Sequence, residues 1–386
     1  MQLPVDIGAL FHEATNIDTA SQTPLTVSIY MDETAPGDVA ALVRQAFASA
    51  SPHARVSTLY FPSFPVVAAP ETDMAVIVAG LDENIGKYCN DIRLAGVPVM
   101  CVTTLPDLVC EISKNSGYPL LKNDIIKPEF DKSKKALSHQ EQNNVEPFVL
   151  TKAASEKMLV KMGEWIIETC KEKRLAFALA FTFVRKPLSR EAVSATSAQN
   201  AGVGLVVFIP GADMPIMTLN QGKMLLQIAA AYGQAMNVER IKELAAVVGG
   251  AFVFRSVARQ AVAFIPGLGW AIKAAIGYTG TYAMGHAAIE YFENGGSISG
   301  LMGVVGMARD KVVRAAGTVA EKPSVKAAVK SAKKQVSSSA VKAVPVASSV
   351  IGSAASVVAD TNHIQRVAVD AAASLGNKFS KRSKKE

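Results

Sequence analysis

Hydrophobic positions fall into two regimes along the chain. Between 25 and 102 they come as short runs parted by polar, helix-periodic stretches, and between 203 and 292 they merge into one long, weakly charged block. In the first regime the runs 25–30 (LTVSIY) and 55–61 read as strands, and 74–79 (MAVIVA) and 97–102 (VPVMCV) as strands buried on both faces. Between them, 38–49 reads as a helix with Asp38 as acceptor cap, 84–94 as a second helix, and Pro106-Asp107 opens a third. Strands alternating with helices at this spacing predict a mostly parallel α/β sheet.

Flanking segments are less regular. Residues 1–24 read as a polar lead-in, 122–147 as a charged loop or insertion, and 148–151 as the last strand. An amphipathic helix is predicted over 153–173, through Met158, Met162, Trp165, Ile166 and Cys170. The run 175–184 (LAFALAFTFV), ending at Arg185-Lys186-Pro187, is shorter than the roughly 20 residues a membrane span needs. It reads as a buried connector, followed by a helix over 189–200; a membrane-inserting hairpin with 203–209 is the alternative.

The second regime predicts an all-helical domain. A helix starts at Asp213 before Met214-Pro215, with Met217, Met224, Leu225, Ile228 and Tyr232 on one face, Asn220, Lys223 and Gln227 on the other, and Gly233 as its stop. Asn237 caps a second helix to about 264, broken by Pro266-Gly267. A third runs over 268–292 to Asn294-Gly295-Gly296 and carries Gly277, Thr281 and Gly285 four residues apart, a helix-packing stripe that admits close backbone approach. Arg255, Arg259 and Lys273 leave uncharged runs of only 260–272 and 274–289. Charges are costly inside a span. A bundle lying on or dipping into a membrane is therefore expected, integral or peripheral being open.

The runs IPGADMPIMTLNQGKMLLQIAAAYG and ELAAVVGGAFVFRSVARQAVAFIPGLGWAIKAAIGYTGTYAMGHAAIEYFENG resemble the bacterial helical family called domain of unknown function 697, over about 190–293. The resemblance implies membrane association and the company of a Ras-like or Era-like GTPase domain; it implies no catalytic residue.

The strand and helix order before it looks like such a GTPase core in degenerate form. An active member needs GxxxxGK[ST] after the first strand, so that backbone N–H groups wrap the phosphates, Lys reaches the outer one and the hydroxyl holds magnesium. Here the turn reads MDETAPGDVAAL: Thr34 and Gly37 are present, but Asp38 puts a carboxylate where a cation is wanted. Gly86-Lys87 is followed by Tyr88 and lies after the wrong strand. In place of NKxD the chain has CVTTLPD, with Thr103 and Thr104 for Asn-Lys and Asp107 as a relic of the base-reading acid. Asp73 and Asp82 flank the 74–79 strand and read as turn and capping residues before metal-binding ones. The expectation is α/β plus α: a pseudo-GTPase-like domain over 25–173 without turnover, a helical domain over 174–296 and a tail over 297–386. An unrelated flavodoxin-like sheet is the alternative fold, and an active GTPase with an atypical phosphate site the alternative function.

Composition adds little catalytic chemistry. Five histidines, His12, His53, His139, His286 and His363, are scattered without HExxH, and no GxSxG is present. His286 reads as a packed or interfacial residue. Cys89, Cys101, Cys110 and Cys170 form no CxxC and read as reduced core thiols. No catalytic residue, cofactor or metal is expected.

The net charge of +7 resides in the tail: 321–386 holds 12 Lys and Arg against 4 Asp and Glu, net +8, leaving −1 for 1–320. Lys326, Lys330, Lys333 and Lys334 ring a narrow apolar stripe, and Lys381, Arg382, Lys384 and Lys385 close the chain. These are the candidate contacts to lipid or polyanion. An anionic membrane surface is the expected partner, with an unidentified protein and self-association beside it; nucleic acid ranks behind them, because no base-reading motif accompanies the lysines. With no basic leader at the amino terminus, the expected location is the cytoplasmic face of the cell membrane.

Overall fold

Among the described residues one sheet of five strands, every neighbouring pair parallel, runs in the order β2-β1-β3-β4-β5. The strands are β1 (Leu25–Asp32), β2 (Ala54–Phe61), β3 (Met74–Val78), β4 (Val99–Val102) and β5 (Ile125–Ile126). The computed structural model describes residues 6–49, 51–128, 150–206, 213–235, 239 and 269–296. All five residues of β3 and all four of β4 are buried, as expected of central parallel strands. Register is set by apolar pairs: Val27 lies opposite Val56 in β2 and opposite Met74 in β3.

Crossover helices are α2 (Gly37–Ala46), α3 (Ile85–Leu94) and α4 (Pro106–Asn115), followed in the chain by α5 (Lys152–Thr169). One core packs Tyr30, Ile77 and Cys101 of the sheet with Ile85, Cys89 and Ile92 of α3 and Val109 of α4. Gly86 lets the chain beyond α4 approach α3: a β-carbon there would stand 2.1 Å from the Tyr118 carbonyl oxygen. Val39 and Val43 of α2 and the following Phe47 are also buried, and the Phe47 ring meets Phe181 at 4.9 Å and Phe183 at 5.3 Å.

Among the described residues the last strand is Ile125–Ile126; of the expected strand 148–151 only 150 and 151 are described, and Thr151 is the N-cap of α5, its side chain accepting from the Ala154 N–H at 3.3 Å. A β-branched residue suits a strand by propensity, but its hydroxyl serves a helix start as well. Helix α2 starts at Gly37 behind Pro36, and Asp38 lies in its first turn instead of capping it. Ala176, Phe177, Ala178, Ala180, Phe181 and Val184 of the run 175–184 are buried and Thr182 is exposed, and the run divides into α6 (Arg174–Ala180) and the start of α7 (Thr182–Val206).

Pro187 lies inside α7 and does not end it. The lost hydrogen bond is tolerated where α5 comes closest: a β-carbon on Gly163 would lie 2.6 Å from Pro187 Cγ and 2.9 Å from the Phe183 carbonyl. The chain accordingly divides into a unit of 19–188 and a unit of 1–18 with 189–386, so the connector belongs with the sheet.

The helical unit also holds residues 1–18 of the supposed lead-in over 1–24. Residues Ile7–Ser21 form α1, with Leu10, Ala14 and Ile17 buried at helical spacing. Leu10 packs where α8 (Asp213–Ala231) offers Gly222, whose β-carbon would be 2.9 Å from Leu10 Cδ2. Beside it Glu13 accepts from Gln227 Nε2 at 3.0 Å and pairs with Lys223 at 3.4 Å. The polar face read on this helix is thus where α1 docks.

Met217, Met224, Leu225 and Ile228 are buried as expected. Gly233, at φ +74°, stops α8: its N–H donates to the Ala230 carbonyl and the Gln234 N–H to that of Ala229. Gly295 does the same for α9 (Gly269–Glu293), the predicted third helix. The predicted helix over 237–264 lies outside the described residues apart from 239. Among the described residues no helix is long and apolar enough to cross a membrane.

Candidate functional site

A doubly wound sheet binds ligands beyond the carboxyl ends of its strands, at the point where successive connections leave in opposite directions. In this strand order that point lies between β1 and β3. β1 ends on Asp32, which is 3% exposed, and β3 runs into Ala79-Gly80-Leu81-Asp82. Asp32 Oδ1 accepts from the Thr34 N–H and from Thr34 Oγ1, both at 2.8 Å. Its Oδ2 accepts from the Gly80 N–H at 2.9 Å and the Asp82 N–H at 3.1 Å. Thr34 Oγ1 in turn accepts from the Leu81 N–H at 2.7 Å.

Three backbone donors that would suit an anion are therefore turned onto groups of the chain itself. The approach is close: a β-carbon on Gly80 would stand 2.4 Å from Thr34 Oγ1 and 2.5 Å from the Ala35 nitrogen. Alanine does not fit there without movement of the turn.

The start of α2 is occupied in the same way. Asp38 Oδ1 accepts from the Val39 N–H at 2.7 Å, and Oδ2 from the Leu150 N–H at 2.9 Å, fixing the approach to α5. Gly37 has open space beside its Cα: a β-carbon there would meet nothing within 4 Å. Asp82 Oδ1 accepts from the Asn84 N–H at 2.7 Å, the turn role expected of it. Asp73 lies at the amino ends of the strands, accepting from the Thr26 N–H at 2.8 Å and pairing with Lys173 at 2.6 Å. It shares no site with Asp82.

Thr103 and Thr104 are both buried, the Thr103 N–H donating to the Ile126 carbonyl at 3.1 Å and its Oγ1 accepting from the Leu105 N–H at 3.0 Å. Asp107 is exposed in the first turn of α4, where a carboxylate favours the positive end of the helix dipole. These three residues present no joint base-reading edge.

Burial raises Tyr88, with the Asp82 charge adding to it, and burial likewise raises Tyr30. All four cysteines are free. The Cys101 thiol is held well above its ordinary range, first by its hydrogen bond with Cys89 and then by burial, and Cys170 is pushed up to about 12, first by burial and then by the Asp73 charge. Among the described residues no group of three His, Cys, Asp or Glu could hold a metal ion.

In the helical unit the Gly277, Thr281, Gly285 stripe does make close contacts. A β-carbon on Gly277 would be 2.8 Å from the Asn200 carbonyl oxygen, and one on Gly285 2.3 Å from Val193 Cγ2. Between them Thr281 Oγ1 donates to the Gly277 carbonyl at 2.7 Å and accepts from Asn200 Nδ2 at 2.9 Å and Gln221 Nε2 at 2.8 Å. That uses the full capacity of one hydroxyl. Asn220, read on the outer face, instead donates to Asn200 Oδ1 at 2.9 Å. The His286 ring packs against that of Tyr282 at 4.2 Å, the planes tilted by 44°. The lysines and arginine at 326, 330, 333, 334, 381, 382, 384 and 385 lie outside the described residues.

Asp32, Asn200 and Gln221 are not singled out by the sequence reading. The available signals are a lone acid closing an apolar strand and two amides interrupting apolar helix faces. Compared with family models, with curated proteins and with solved structures, the chain matches none.

Proposed function

We propose that this chain is a non-catalytic interaction protein at the inner face of a membrane, a sheet unit in the flavodoxin-like strand order without a working nucleotide site, joined to a helical unit of the kind called domain of unknown function 697. The carrying observation is that the Gly80, Leu81 and Asp82 N–H groups are engaged by Asp32 and Thr34. Admitting a phosphate there means removing a buried carboxylate and remaking both loops. Asp38 adds a negative charge at the start of α2, where like charges repel.

Titration of the full-length protein with guanine and adenine nucleotides and magnesium tests the non-catalytic part. No saturable binding is expected; saturable binding that is lost on Thr34→Ala overturns it.

The membrane part is supported by the apolar helical block and by the +8 charge of 321–386. Each basic residue near an anionic surface contributes about 1 kcal/mol. Full-length protein should co-sediment with phosphatidylserine vesicles and lose most of that binding when the eight named cations become glutamine. Failure of the unmodified chain to pellet removes the membrane from the proposal.

A further inference from the structure

The open edge of the sheet is its least protected feature. β2 pairs with β1 alone in the described sheet, and its stretch Ser57, Thr58, Leu59, Tyr60 is exposed on both faces. Native edges are commonly guarded by lysine, proline or a bulge. Here Arg55 is the one charge in eight residues and no proline interrupts them.

The ladder determines which backbone groups are left over. The Leu25 N–H donates to the His53 carbonyl at 2.8 Å and the Glu33 N–H to the Phe61 carbonyl at 3.1 Å, so odd-numbered residues of β2 turn their peptide groups toward β1. By the alternation of a parallel ladder, those of Val56, Thr58 and Tyr60 face outward, the Tyr60 carbonyl being taken by the Phe64 N–H at 2.9 Å and its N–H facing outward.

A cleft adjoins this edge. It has a volume of about 390 Å³, with Ile29, Phe47 and Val56 along its floor and Arg44, Ser49 and Thr58 at its rim. The Arg44 side chain is held from two sides, Nε donating to the Ala40 carbonyl at 3.3 Å and Nη1 to the Tyr60 hydroxyl at 3.2 Å. Charge is one-sided as well: residues 39–70 contain Arg44 and Arg55 and no Asp or Glu.

Resting on the interaction-protein reading above, we infer that the β2 edge takes an extended acidic peptide segment of a partner protein as a sixth strand. Backbone groups of the segment pair with the N–H and carbonyl of Val56 and Thr58 and with the N–H of Tyr60, alternate side chains enter the cleft below α2, and a carboxylate of the segment pairs with Arg44. Strand addition of this kind draws affinity from main-chain hydrogen bonds and selectivity from every second side chain.

The test uses full-length protein and a short fluorescein-labelled peptide in which valine and threonine alternate and a glutamate follows. Saturable binding is expected, weakened about tenfold or more by Arg44→Glu and by lysine in place of the glutamate. Thr58→Pro removes an outward N–H but no donor to β1, a position where an edge strand accepts proline, and should abolish binding. In the unmodified protein, saturating peptide should slow amide exchange at Val56, Thr58 and Tyr60 and leave Ser57 and Leu59 unchanged.

Undiminished binding to Thr58→Pro, or no slowing at those three amides, overturns the assignment. So does a concentration-dependent dimer that Thr58→Pro dissolves, which gives the edge to a second copy of the chain. The nucleotide titration is separate: no peptide binding and no nucleotide binding removes the edge proposal alone, whereas saturable nucleotide binding that is lost on Thr34→Ala removes the non-catalytic reading whatever the peptide does.

Discussion

The carboxylate of Asp32 and the N–H of Gly80, 48 residues apart in the chain, meet at 2.9 Å and join the loop after β1 to the loop after β3. Because Asp32 is 3% exposed and also serves Thr34 and Asp82, one side chain holds the whole carboxyl edge at the centre of the sheet.

Asp32→Ala should lower the unfolding free energy by about 3 kcal/mol, since buried donors then lose an acceptor without gaining water. Asp32→Asn, which keeps one acceptor oxygen, should lose less. Urea unfolding of the two variants reads the difference; an alanine variant as stable as the parent would show that the loops hold without it.

Gly80 and Gly37 should respond in opposite directions to alanine. At Gly80 the new methyl meets Thr34 and the Ala35 backbone inside contact distance, so a loss of about 2 kcal/mol is expected. At Gly37 nothing lies within 4 Å and the residue opens a helix, so a gain of about 0.5 kcal/mol is expected. Were Gly37 part of a working phosphate loop, stability would not be its main response; thermal melts with and without nucleotide distinguish the two cases.

Thr281→Val should cost about 2 kcal/mol, because Asn200 and Gln221 keep their donors but lose the shared acceptor. Thr281→Ser should recover most of it. Gly285→Ala should be destabilising alone and partly repaired by Val193→Ala, whose removed methyls are the ones a β-carbon at 285 would strike. A double-mutant cycle in thermal unfolding checks the coupling.

Leu10→Ala should cost about 3 kcal/mol, as for other fully buried leucines. A negligible change in urea unfolding would return the first residues to the status of a lead-in.

Stability should fall at alkaline pH. Cys170 stands at about 12 against an ordinary value of 9.0. Across that interval the unfolded chain has released the thiol proton and the folded chain retains it, so the contribution is complete below pH 9 and lost as pH approaches 12. Cys101, Tyr30 and Tyr88 are raised as well and act in the same direction. Unfolding midpoints measured through this window should decline less steeply for Cys170→Ala than for the parent.

Much of the architecture is legible in the order of residues alone. The apolar runs at 25–30, 74–79 and 97–102 specify strands because a strand buried on both faces must be apolar throughout, the run at 55–61 specifies one by its alternation although most of it is exposed, and Gly233 and Gly295 specify helix ends because a left-handed residue is needed there. Local chemistry of that kind is written within a few neighbours. Thr151 and Ile125-Ile126 mislead at the same level, since one β-branched residue serves a cap or a strand and two residues are too few for a period.

What decides the candidate site has no local signature. Asp38 reads as a helix cap or a misplaced phosphate ligand, and only the fold brings it to Leu150, 112 residues away. Asp32 is the polar end of a strand until parallel pairing sets β1 beside β3 and turns three N–H groups toward it and Thr34. The segment of α1 reads as a polar lead-in, because its apolar residues Leu10, Ala14 and Ile17 are few; the fold makes it a helix and sets its partner, the gap that Gly222 leaves in α8. Sequence periodicity records which side of an element avoids water; which elements meet, and therefore which charge answers which donor, is a property of the packed chain.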